Sequence, residues 1–300
     1  MNSPPTYNKT RIAPTPSGYL HLGNALSFSM TALLAQRTGA KILLRIDDLD
    51  RDRVDPAYIK DIFDTLDFLK IRWQEGPGNM EEYEAAWSQL YRMEMYWKAL
   101  QQLRDDGHLF ACTCSRAQLL RENAQGVYPG TCRDKGISLD EKDVSWRLRT
   151  DPAMQLSVRT WQGATIQATL PPSMQDFIVK KKDNFPAYQL TSLLDDLHFG
   201  VDLIVRGEDL WPSTLAQHYL ATLLQQPAFG DAAFCHHPLL EASPGKKLSK
   251  SAGDTSIRSL RQQGLQRLGL YRLLTARQGI KEPPRSVRTA LCLLAEKLLL

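Results

Sequence analysis

The N-terminal part of the chain alternates between short apolar runs and longer stretches with helical spacing. A short strand is predicted at residues 9–13, and a buried strand at residues 41–46, where the short apolar run KILLRI has charged flanks. Helices are predicted at residues 25–38, ended by Gly39, and at residues 56–70. A strand–helix–strand–helix order with short connections is typical of an open α/β sheet.

The middle of the chain has a different pattern, which begins near residue 106 and indicates an insertion into the sheet. Short strand-like pieces lie at residues 145–149 and 156–161, in a segment that also carries three closely spaced cysteines. Sheet character returns at residues 176–180 and 202–206.

The C-terminal part opens with a loop, SPGKKLSKSAGD, that is dense in glycine, serine and lysine. Beyond it, leucines recur at helical spacing, with a Pro-Pro break at 283–284. We therefore predict four segments: the first half of an α/β core (1–105), an inserted subdomain (106–175), the second half of the core (176–256) and a small helical appendage (257–300).

Composition places the chain among ordinary globular proteins. Hydrophobic residues make up 43% of its 300 positions and charged residues 23%. No apolar run approaches the roughly 20 residues that a membrane helix needs, and the N-terminus MNSPPTYNKT lacks the apolar region of a secretory signal. Five cysteines, an odd number in a long chain, do not suit a disulfide scaffold. We expect a soluble protein of the reducing cytoplasm, with no membrane partner.

Charge is distributed unevenly along the chain. Residues 256–300 carry nine Lys or Arg and two Glu, a balance of +7, so the rest of the chain carries −3 of the net +4. A compact basic segment favours a polyanionic partner. A solvated helix surface is the alternative.

The strongest candidate site is the turn between the first strand and the first helix, RIAPTPSGYLHLGN. Open α/β sheets bind ligands at the carboxyl ends of their strands, and a helix N-terminus there presents free N–H groups to phosphate. Gly23 allows a nucleotide to approach the backbone closely. His21 can donate to a phosphate oxygen as charge develops. By itself, a His-x-Gly sequence is also common in ordinary turns.

A second candidate is the lysine-rich loop, KKLSKS at residues 246–251. Lys247 and Lys250, with hydroxyl groups nearby, suit a triphosphate whose leaving pyrophosphate must be neutralised. Such a loop can close over ATP during a reaction. Taken alone, a loop of this composition is more often solvated surface.

Together and in this order, the two motifs resemble the HIGH and KMSKS signatures of class I aminoacyl-tRNA synthetases. The stretches RIAPTPSGYLHLGNAL, LLRIDDLDRDR, NFPAYQLTSLLDD, DLIVRGEDL and HHPLLEASPGKKLSKS are similar to the glutamyl-tRNA synthetase group. The chain ends about 50 residues past Lys250, which leaves no room for the anticodon-binding half of that group. It therefore resembles a truncated branch, the glutamyl-queuosine tRNA(Asp) synthetases.

This resemblance implies a Rossmann-type class I synthetase core with an inserted zinc-binding subdomain and a small C-terminal helical appendage. It implies a ligase that activates L-glutamate with ATP and Mg²⁺, independently of tRNA, and transfers glutamate to queuosine in the anticodon arm of tRNA(Asp). Catalytic roles are implied for His21, Lys247 and Lys250. ATP contacts are implied for Pro14, Ser17, His21, Gly23, Asn24, Lys247 and Lys250. We expect a monomer whose insertion and basic segment flank the RNA, with Trp161 and Tyr271 as stacking groups.

The resemblance also implies a metal site in the insertion. Cys112, Cys114, Tyr128 and Cys132 reproduce the C-x-C…Y-x3-C zinc pattern of the family, and zinc takes about four N, S or O ligands. One structural Zn²⁺ is expected, which would hold the part of the insertion that contacts RNA. Reduced thiols, with Tyr128 as a packing residue, are the alternative.

The resemblance also implies which residues of this chain bind glutamate. The resemblance implies that Arg11 and Arg206 hold the two substrate carboxylates, since a guanidinium matches a carboxylate in a bidentate contact, and that Tyr188 donates a hydrogen bond. The family has Glu in the motif RIEDxD as the ligand of the substrate ammonium. This chain has Asp47 there, which is one methylene shorter. The ammonium could therefore bind differently or through water.

Three other interpretations remain open. The chain could be a minimal glutamyl-tRNA synthetase that charges a tRNA 3′ end. It could be an adenylate-forming or nucleotidylyltransferase enzyme that does not act on tRNA, although the zinc pattern and the basic segment are then unexplained. It could be a non-catalytic RNA-binding paralogue, against which the intact His21, Lys247 and Lys250 argue.

Overall fold

The computed structural model describes residues 5–122, 125–243, 246–247 and 256–299. Its strands are β1 (Lys9–Ile12), β2 (Lys41–Leu44), β3 (Leu109–Cys112), β4 (Ser145–Leu148), β5 (Leu156–Thr160), β6 (Thr165–Ala168), β7 (Ile178–Lys180), β8 (Leu203–Gly207), β9 (Ala233–His237), β10 (Glu241–Ser243) and β11 (Lys246–Lys247). Its α-helices are α1 (Leu22–Thr38), α2 (Pro56–Leu69), α3 (Met80–Glu82), α4 (Met93–Asp105), α5 (Arg116–Glu122), α6 (Tyr188–His198), α7 (Trp211–Leu223), α8 (Pro227–Asp231), α9 (Ile257–Gln262), α10 (Arg267–Arg277) and α11 (Val287–Leu298).

The chain divides into two compact units. Unit 1 contains Met1–Gln89, Val201–Asp209 and Phe234–Leu300, and unit 2 contains Leu90–Gly200 and Leu210–Ala233. Among the helices of the described ranges, none combines the length and the apolar character needed to cross a membrane.

Unit 1 is built on a sheet with the strand order β2-β1-β8-β9. Strand β1 pairs in parallel with β2 on one side and with β8 on the other. The apolar residues of these strands are buried, as expected for a parallel sheet that is covered on both faces. The predicted α/β class is therefore confirmed, and the carboxyl ends of three neighbouring strands lie at one edge.

The helix after β1 starts earlier than the apolar pattern predicted. It begins at Leu22, with His21 as the N-cap residue, and ends at Thr38, where Gly39 adopts a φ of 79°. This left-handed conformation is why glycine stands at the end of the helix.

The three C-terminal helices lie in unit 1 with the parallel sheet. Helix α11 packs against α1, and the hydroxyl of Tyr271 in α10 lies 3.0 Å from Oγ of Ser29 in α1. Tyr271 is only 2% exposed. Its ring is a core group, so our expectation that Tyr271 stacks on an RNA base is wrong. Trp161 is partly exposed, and its stacking on RNA stays a prediction.

Unit 2 contains an antiparallel sheet with the order β3-β4-β7 and an antiparallel hairpin of β5 and β6. Strand β7 lies in the segment predicted as the second half of the core, yet it pairs with β4 beside the cysteine-bearing strand β3. The two compact units have different bounds from the four predicted segments, and that division into four segments stays a prediction.

A buried ion pair inside unit 2 joins Arg92, the residue that precedes α4, to Asp195 in α6. Nε and Nη2 of Arg92 donate to the two carboxylate oxygens of Asp195 at 2.7 Å and 3.2 Å, and the hydroxyl of Tyr96 donates to Oδ1 of Asp195 at 2.6 Å. Burial raises the pKa of Tyr96, and the Asp195 carboxylate adds to the rise. Burial by itself would lower the pKa of Arg92. The contacts with Asp195 outweigh this effect, so the pKa of Arg92 is raised.

Candidate functional site

The imidazole of His21 is held at the N-terminus of α1 by a reciprocal arrangement of hydrogen bonds. Nδ1 of His21 accepts the N–H of Gly23 at 3.1 Å, and Oδ1 of Asn24 accepts the N–H of His21 at 3.0 Å. With Nδ1 as an acceptor, the neutral ring carries its proton on Nε2. This tautomer has the donor that the predicted phosphate contact requires.

Gly23 is needed for a reason that the sequence did not indicate. A Cβ atom at this position would lie 2.9 Å from Cε1 and 3.1 Å from Nδ1 of His21. Any other residue would therefore push on the imidazole, so Gly23 protects the position of the ring.

The residue before His21 is fixed from two sides. Oδ2 of Asp61 accepts the N–H of Leu20 at 3.1 Å, and the carbonyl of Leu20 accepts the N–H of Ile257 at 2.8 Å. Arg261 in α9 donates to Oδ1 of Asp61 at 2.7 Å. Burial raises the pKa of Asp61, although the Leu20 N–H and Arg261 oppose the rise. Asp61 and α9 are thus positioning elements that no local sequence pattern marks.

The turn after β1 is tied to the segment that follows β2. The carbonyl of Pro14 accepts the N–H of Asp47 at 3.0 Å, and the carbonyl of Ser17 accepts from Nη2 of Arg53 at 3.4 Å. The ATP contacts predicted between Pro14 and Asn24 therefore belong to one hydrogen-bonded structure in unit 1.

Three of the residues predicted to bind glutamate lie on or just beyond neighbouring strands of unit 1. Arg11 in β1 is buried, and its Nη1 donates to the carbonyl of Val205 in β8 at 3.2 Å. Arg206 follows in β8, also buried, with its Cζ 5.3 Å from the centre of the Phe234 ring. Asp47 lies just beyond β2. The sheet therefore brings two cations and one carboxylate to the same edge.

The carboxylate of Asp47 is engaged by an arginine that our sequence analysis did not single out. Nε and Nη2 of Arg45 donate to Oδ1 and Oδ2 of Asp47 at 2.7 Å and 3.1 Å, and both residues are buried. Such a bidentate contact is among the stronger ion pairs. A substrate ammonium at Asp47 would share this carboxylate with Arg45.

We expect Asp47→Glu to lower the KM for glutamate by about tenfold, the scale of one charge-assisted hydrogen bond. The added methylene would move the carboxylate away from Arg45 and toward the substrate ammonium. Glutamate-dependent ATP–pyrophosphate exchange measures the effect, and the KM for ATP should not change. Asp50→Glu, at a partly exposed carboxylate paired with Arg53, is the matched control. An unchanged KM for glutamate in Asp47→Glu would mean that Asp47 is not the ammonium ligand.

The next residue, Asp48, has a structural role. It is fully buried and accepts hydrogen bonds from the hydroxyl of Tyr83 at 2.8 Å, from Oγ of Ser88 at 2.6 Å and from the N–H of Gln89 at 2.8 Å. Burial raises the pKa of Tyr83, and the Asp48 carboxylate adds to the rise. Asp48 therefore anchors the segment around Asp47 to the chain after α3.

The lysine-rich loop is only partly described. Lys247 lies in β11, whose backbone pairs antiparallel with β10, with Glu241 opposite Lys247. Lys250 lies outside the described residues. Tyr188 is the first residue of α6, in unit 2. The predicted contacts of these three residues with substrates stay predictions.

The three cysteines of the insertion converge in unit 2. Their Sγ atoms all lie within 4.8 Å of one another, and those of Cys114 and Cys132 are 3.6 Å apart. Tetrahedral zinc with Zn–S bonds of about 2.3 Å separates two sulfur ligands by roughly 3.8 Å. The phenol oxygen of Tyr128 accepts the N–H of Cys132 at 2.7 Å. The cluster of Cys112, Cys114 and Cys132 can therefore hold a metal ion, and a set of three sulfur donors beside a phenol oxygen fits zinc.

The cysteine thiols of this cluster differ in acidity. Burial raises the pKa of Cys114 to about 12, and the neighbouring thiols add to the rise. Burial also works against ionisation of Cys132, but the Thr113 N–H and the neighbouring thiols outweigh it and lower the pKa to about 7. A thiol that ionises near neutral pH favours metal binding, because zinc binds the thiolate.

Comparison with known proteins decides the family. A profile described as "tRNA synthetases class I (E and Q), catalytic domain" matches residues 8–285. The chain belongs to this family. As a class I synthetase, it is an aminoacyl-tRNA synthetase-like ligase, so the family and the type of enzyme inferred from the two motifs are confirmed.

Individual relatives of this class I synthetase bear related names. A glutamyl-Q tRNA(Asp) synthetase of Pseudomonas paraeruginosa is 38% identical over 241 residues, which cover 80% of this chain and 76% of the relative. A glutamyl-Q tRNA(Asp) synthetase of Symbiobacterium thermophilum is 33% identical over 292 residues, covering 93% and 88% of the two chains.

A solved structure shares the fold. The glutamate tRNA ligase of Elizabethkingia meningosepticum, in complex with its amino acid, superimposes with a TM-score of 0.66 at 21% identity. The match covers 86% of this class I synthetase and 53% of the ligase, so the chain spans about half the length of that protein.

Proposed function

We propose that this chain activates L-glutamate with ATP, without tRNA, and transfers the glutamyl group to the queuosine base in the anticodon arm of tRNA(Asp). The observation that carries the proposal is the placement of Arg11 in β1, Arg206 in β8 and Asp47 just beyond the end of β2, at one edge of the sheet that leads into the His21 turn. Relatives at 33% and 38% identity that are named for this activity support it.

The proposed amino-acid site matches glutamate by charge. Arg11 and Arg206 offer one guanidinium for each carboxylate of the substrate, and Asp47 offers a carboxylate for its ammonium. Tyr188 would add a hydrogen bond. A monocarboxylic amino acid would lack the second carboxylate that one of these arginines would bind, which costs binding free energy.

The first step would be attack by a carboxylate oxygen of glutamate on the α-phosphorus of ATP. A bond forms between these two atoms as the bond to the β-phosphate oxygen breaks, and pyrophosphate leaves with the electron pair. The carboxylate needs no general base. The chain would contribute alignment and charge stabilisation through His21 at the helix N-terminus, with Lys247 and Lys250 on the leaving pyrophosphate. Mg²⁺ bound with ATP supplies further charge neutralisation.

In the second step, a hydroxyl oxygen of the acceptor would attack the carbonyl carbon of glutamyl-adenylate. AMP leaves with the electron pair of the broken C–O bond, and the hydroxyl proton is released. In the proposed reaction this hydroxyl belongs to the cyclopentenediol of queuosine.

The RNA would bind a basic surface formed by the C-terminal helices. Arg261 is matched by the carboxylate of Asp61, whereas the guanidinium of Arg258 lies over the ring of Tyr19, 4.5 Å from its centre, and Nε of Arg272 donates to the carbonyl of Pro284. The charges of Arg258 and Arg272 are therefore available to phosphate groups. Binding that depends on such contacts weakens steeply with salt.

The decisive experiment incubates the protein with labelled glutamate, ATP and either queuosine-containing or queuosine-free tRNA(Asp). Label should enter only the queuosine-containing tRNA, at a nucleotide of the anticodon loop identified by nuclease mapping. Label at the 3′ end would instead support a minimal glutamyl-tRNA synthetase. Glutamate-dependent pyrophosphate exchange without any labelled RNA would support an adenylate-forming enzyme of another kind, and absence of exchange would support a non-catalytic paralogue.

We further propose that Cys112, Cys114, Tyr128 and Cys132 hold one structural zinc ion. Purified protein should then contain about one zinc per chain, and Cys132→Ser should lose most of it, as measured by elemental analysis. Cys292→Ser, at an exposed cysteine of unit 1, is the control and should keep its zinc. Wild-type protein without zinc would remove the metal site.

A further inference from the structure

A buried arginine, Arg147, stands next to the cysteine cluster. It is 5% exposed, and Nη1 donates to the carbonyl of Asp176 at 2.8 Å. Among the described residues, no carboxylate lies within ion-pair distance of Arg147, and its Nε has no hydrogen-bond partner. A buried charge in this state is costly unless a second charge compensates for it.

The sheet of unit 2 places this cation toward the cluster. Phe110 in β3 lies directly opposite Arg147 in β4, and Cys112 follows two residues after Phe110. Residues that are directly opposite, or two apart on one strand, share a face of the sheet. Arg147 and Cys112 therefore lie on the same face, and this placement follows from the strand register.

On this face the guanidinium of Arg147 stacks on a predicted metal ligand. Its Cζ lies 3.7 Å from the centre of the Tyr128 ring, whose other neighbour is the ring of Phe110, at 6.1 Å between centres. Tyr128 in turn contacts the backbone of Cys132 through its hydroxyl. The cation is thus one aromatic ring away from the donor atoms.

Charge balance explains why an unmatched arginine stands here. Three thiolates and one Zn²⁺ carry a net charge of −1, and a phenolate of Tyr128 as the fourth ligand would make it −2, whereas the protonated thiols and phenol carry none. We propose that Arg147 is the counter-ion of the metal-loaded cluster, and that its charge, acting across the Tyr128 ring, raises the affinity of the site for zinc. The inference rests on the zinc site proposed above and assigns to Arg147 a positioning and electrostatic role.

Two other arginines of unit 2 are less suited to this role. Arg133 follows Cys132 in the sequence but is paired with the carboxylate of Asp176. Arg149 lies two residues beyond Arg147, with its Cζ 5.2 Å from the centre of the Phe110 ring. It is partly exposed, contacts the carboxylate of Asp134 at 3.3 Å and donates from Nη2 to the carbonyl of Arg133 at 2.7 Å. The charge of each is therefore already matched or screened by solvent.

The test measures zinc affinity of the full chain by competition with a chromogenic chelator at fixed pH. Arg147→Gln removes the charge and keeps a donor for the Asp176 carbonyl, and it should weaken zinc binding about tenfold or more, as loss of an outer contact of a metal site commonly does. Arg147→Lys, which keeps the charge, should recover most of that loss. Arg159→Gln, at an exposed arginine of β5 in unit 2, is the control and should bind zinc within about threefold of wild type.

Thermal unfolding in chelator separates this role from a structural one. Without metal, Arg147→Gln should be as stable as wild type or more stable, because the uncompensated buried charge is gone, while the rise in Tm on adding zinc should shrink. Equal zinc affinity of Arg147→Gln and wild type would overturn the proposal, and so would unfolding of the metal-free Arg147→Gln variant. Wild type that binds no zinc would overturn the metal site together with this proposal.

Discussion

His21→Ala is expected to lower kcat for glutamate-dependent ATP–pyrophosphate exchange by about 100- to 1,000-fold, the usual cost of losing one preorganised donor. The bond from the Gly23 N–H to Nδ1 leaves the proton of the neutral ring on Nε2. The imidazole can then stabilise charge that develops on phosphate. A donor of this kind acts in the transition state, so kcat should fall more than the KM for ATP rises.

Gly23→Ala provides a second, independent test of the same ring. Its methyl group would lie within 3.1 Å of His21, so kcat should also fall, although His21 itself is intact. His108→Ala, at a partly exposed histidine of unit 2, is the control and should behave as wild type. An unchanged kcat in His21→Ala, with only a raised KM for ATP, would contradict the assigned role.

Asp195→Ala is expected to lower the free energy of unfolding by about 3–5 kcal/mol, because removal of one partner leaves a buried guanidinium uncompensated. Asp195 is fully buried and accepts from Arg92 and from Tyr96, which lie on or next to α4, while Asp195 itself lies in α6. Folded domains are commonly stable by only about 5–15 kcal/mol, so the variant should be close to unfolding.

Urea denaturation followed by circular dichroism measures this effect. Glu94→Ala breaks the exposed pair between Glu94 and Lys98 of α4, and this control should unfold like wild type, since solvent screens such pairs. A change below about 1 kcal/mol for Asp195→Ala would mean that the Arg92–Asp195 pair does not hold α4 and α6 together.

The family and the principal candidate residues could be inferred from local patterns. The residues that shape the turn RIAPTPSGYLHLGN all lie within it. In the structure this segment is the end of β1 followed by the N-terminus of α1. The spacing of the cysteines also carried information, because three thiols and one phenol at those positions meet in space. In both cases the relevant residues lie close together in the sequence.

Other features depend on residues that are far apart in the sequence. Asp61 is 41 residues from Leu20, and Arg261 is 200 residues from Asp61, yet the three form one support behind the His21 turn. The bidentate contact of Arg45 with Asp47 is close in sequence, but whether the two side chains meet depends on the backbone after β2. No periodicity predicts such contacts, because side-chain hydrogen bonds form only after the packing has brought the partners together.

The sequence by itself therefore determined the α/β class, the family and the types of residue available for phosphate, carboxylate and metal. These properties follow from hydrophobic periodicity and from motifs whose chemistry is local. Tertiary structure alone decided that β7 pairs with the cysteine-bearing sheet and that Tyr271 is a core residue. It also decided that Arg147 faces the cluster, with no carboxylate of the described part of the chain paired to it. The physical reason is that strand register and burial are collective properties, since each depends on which distant segments exclude water together.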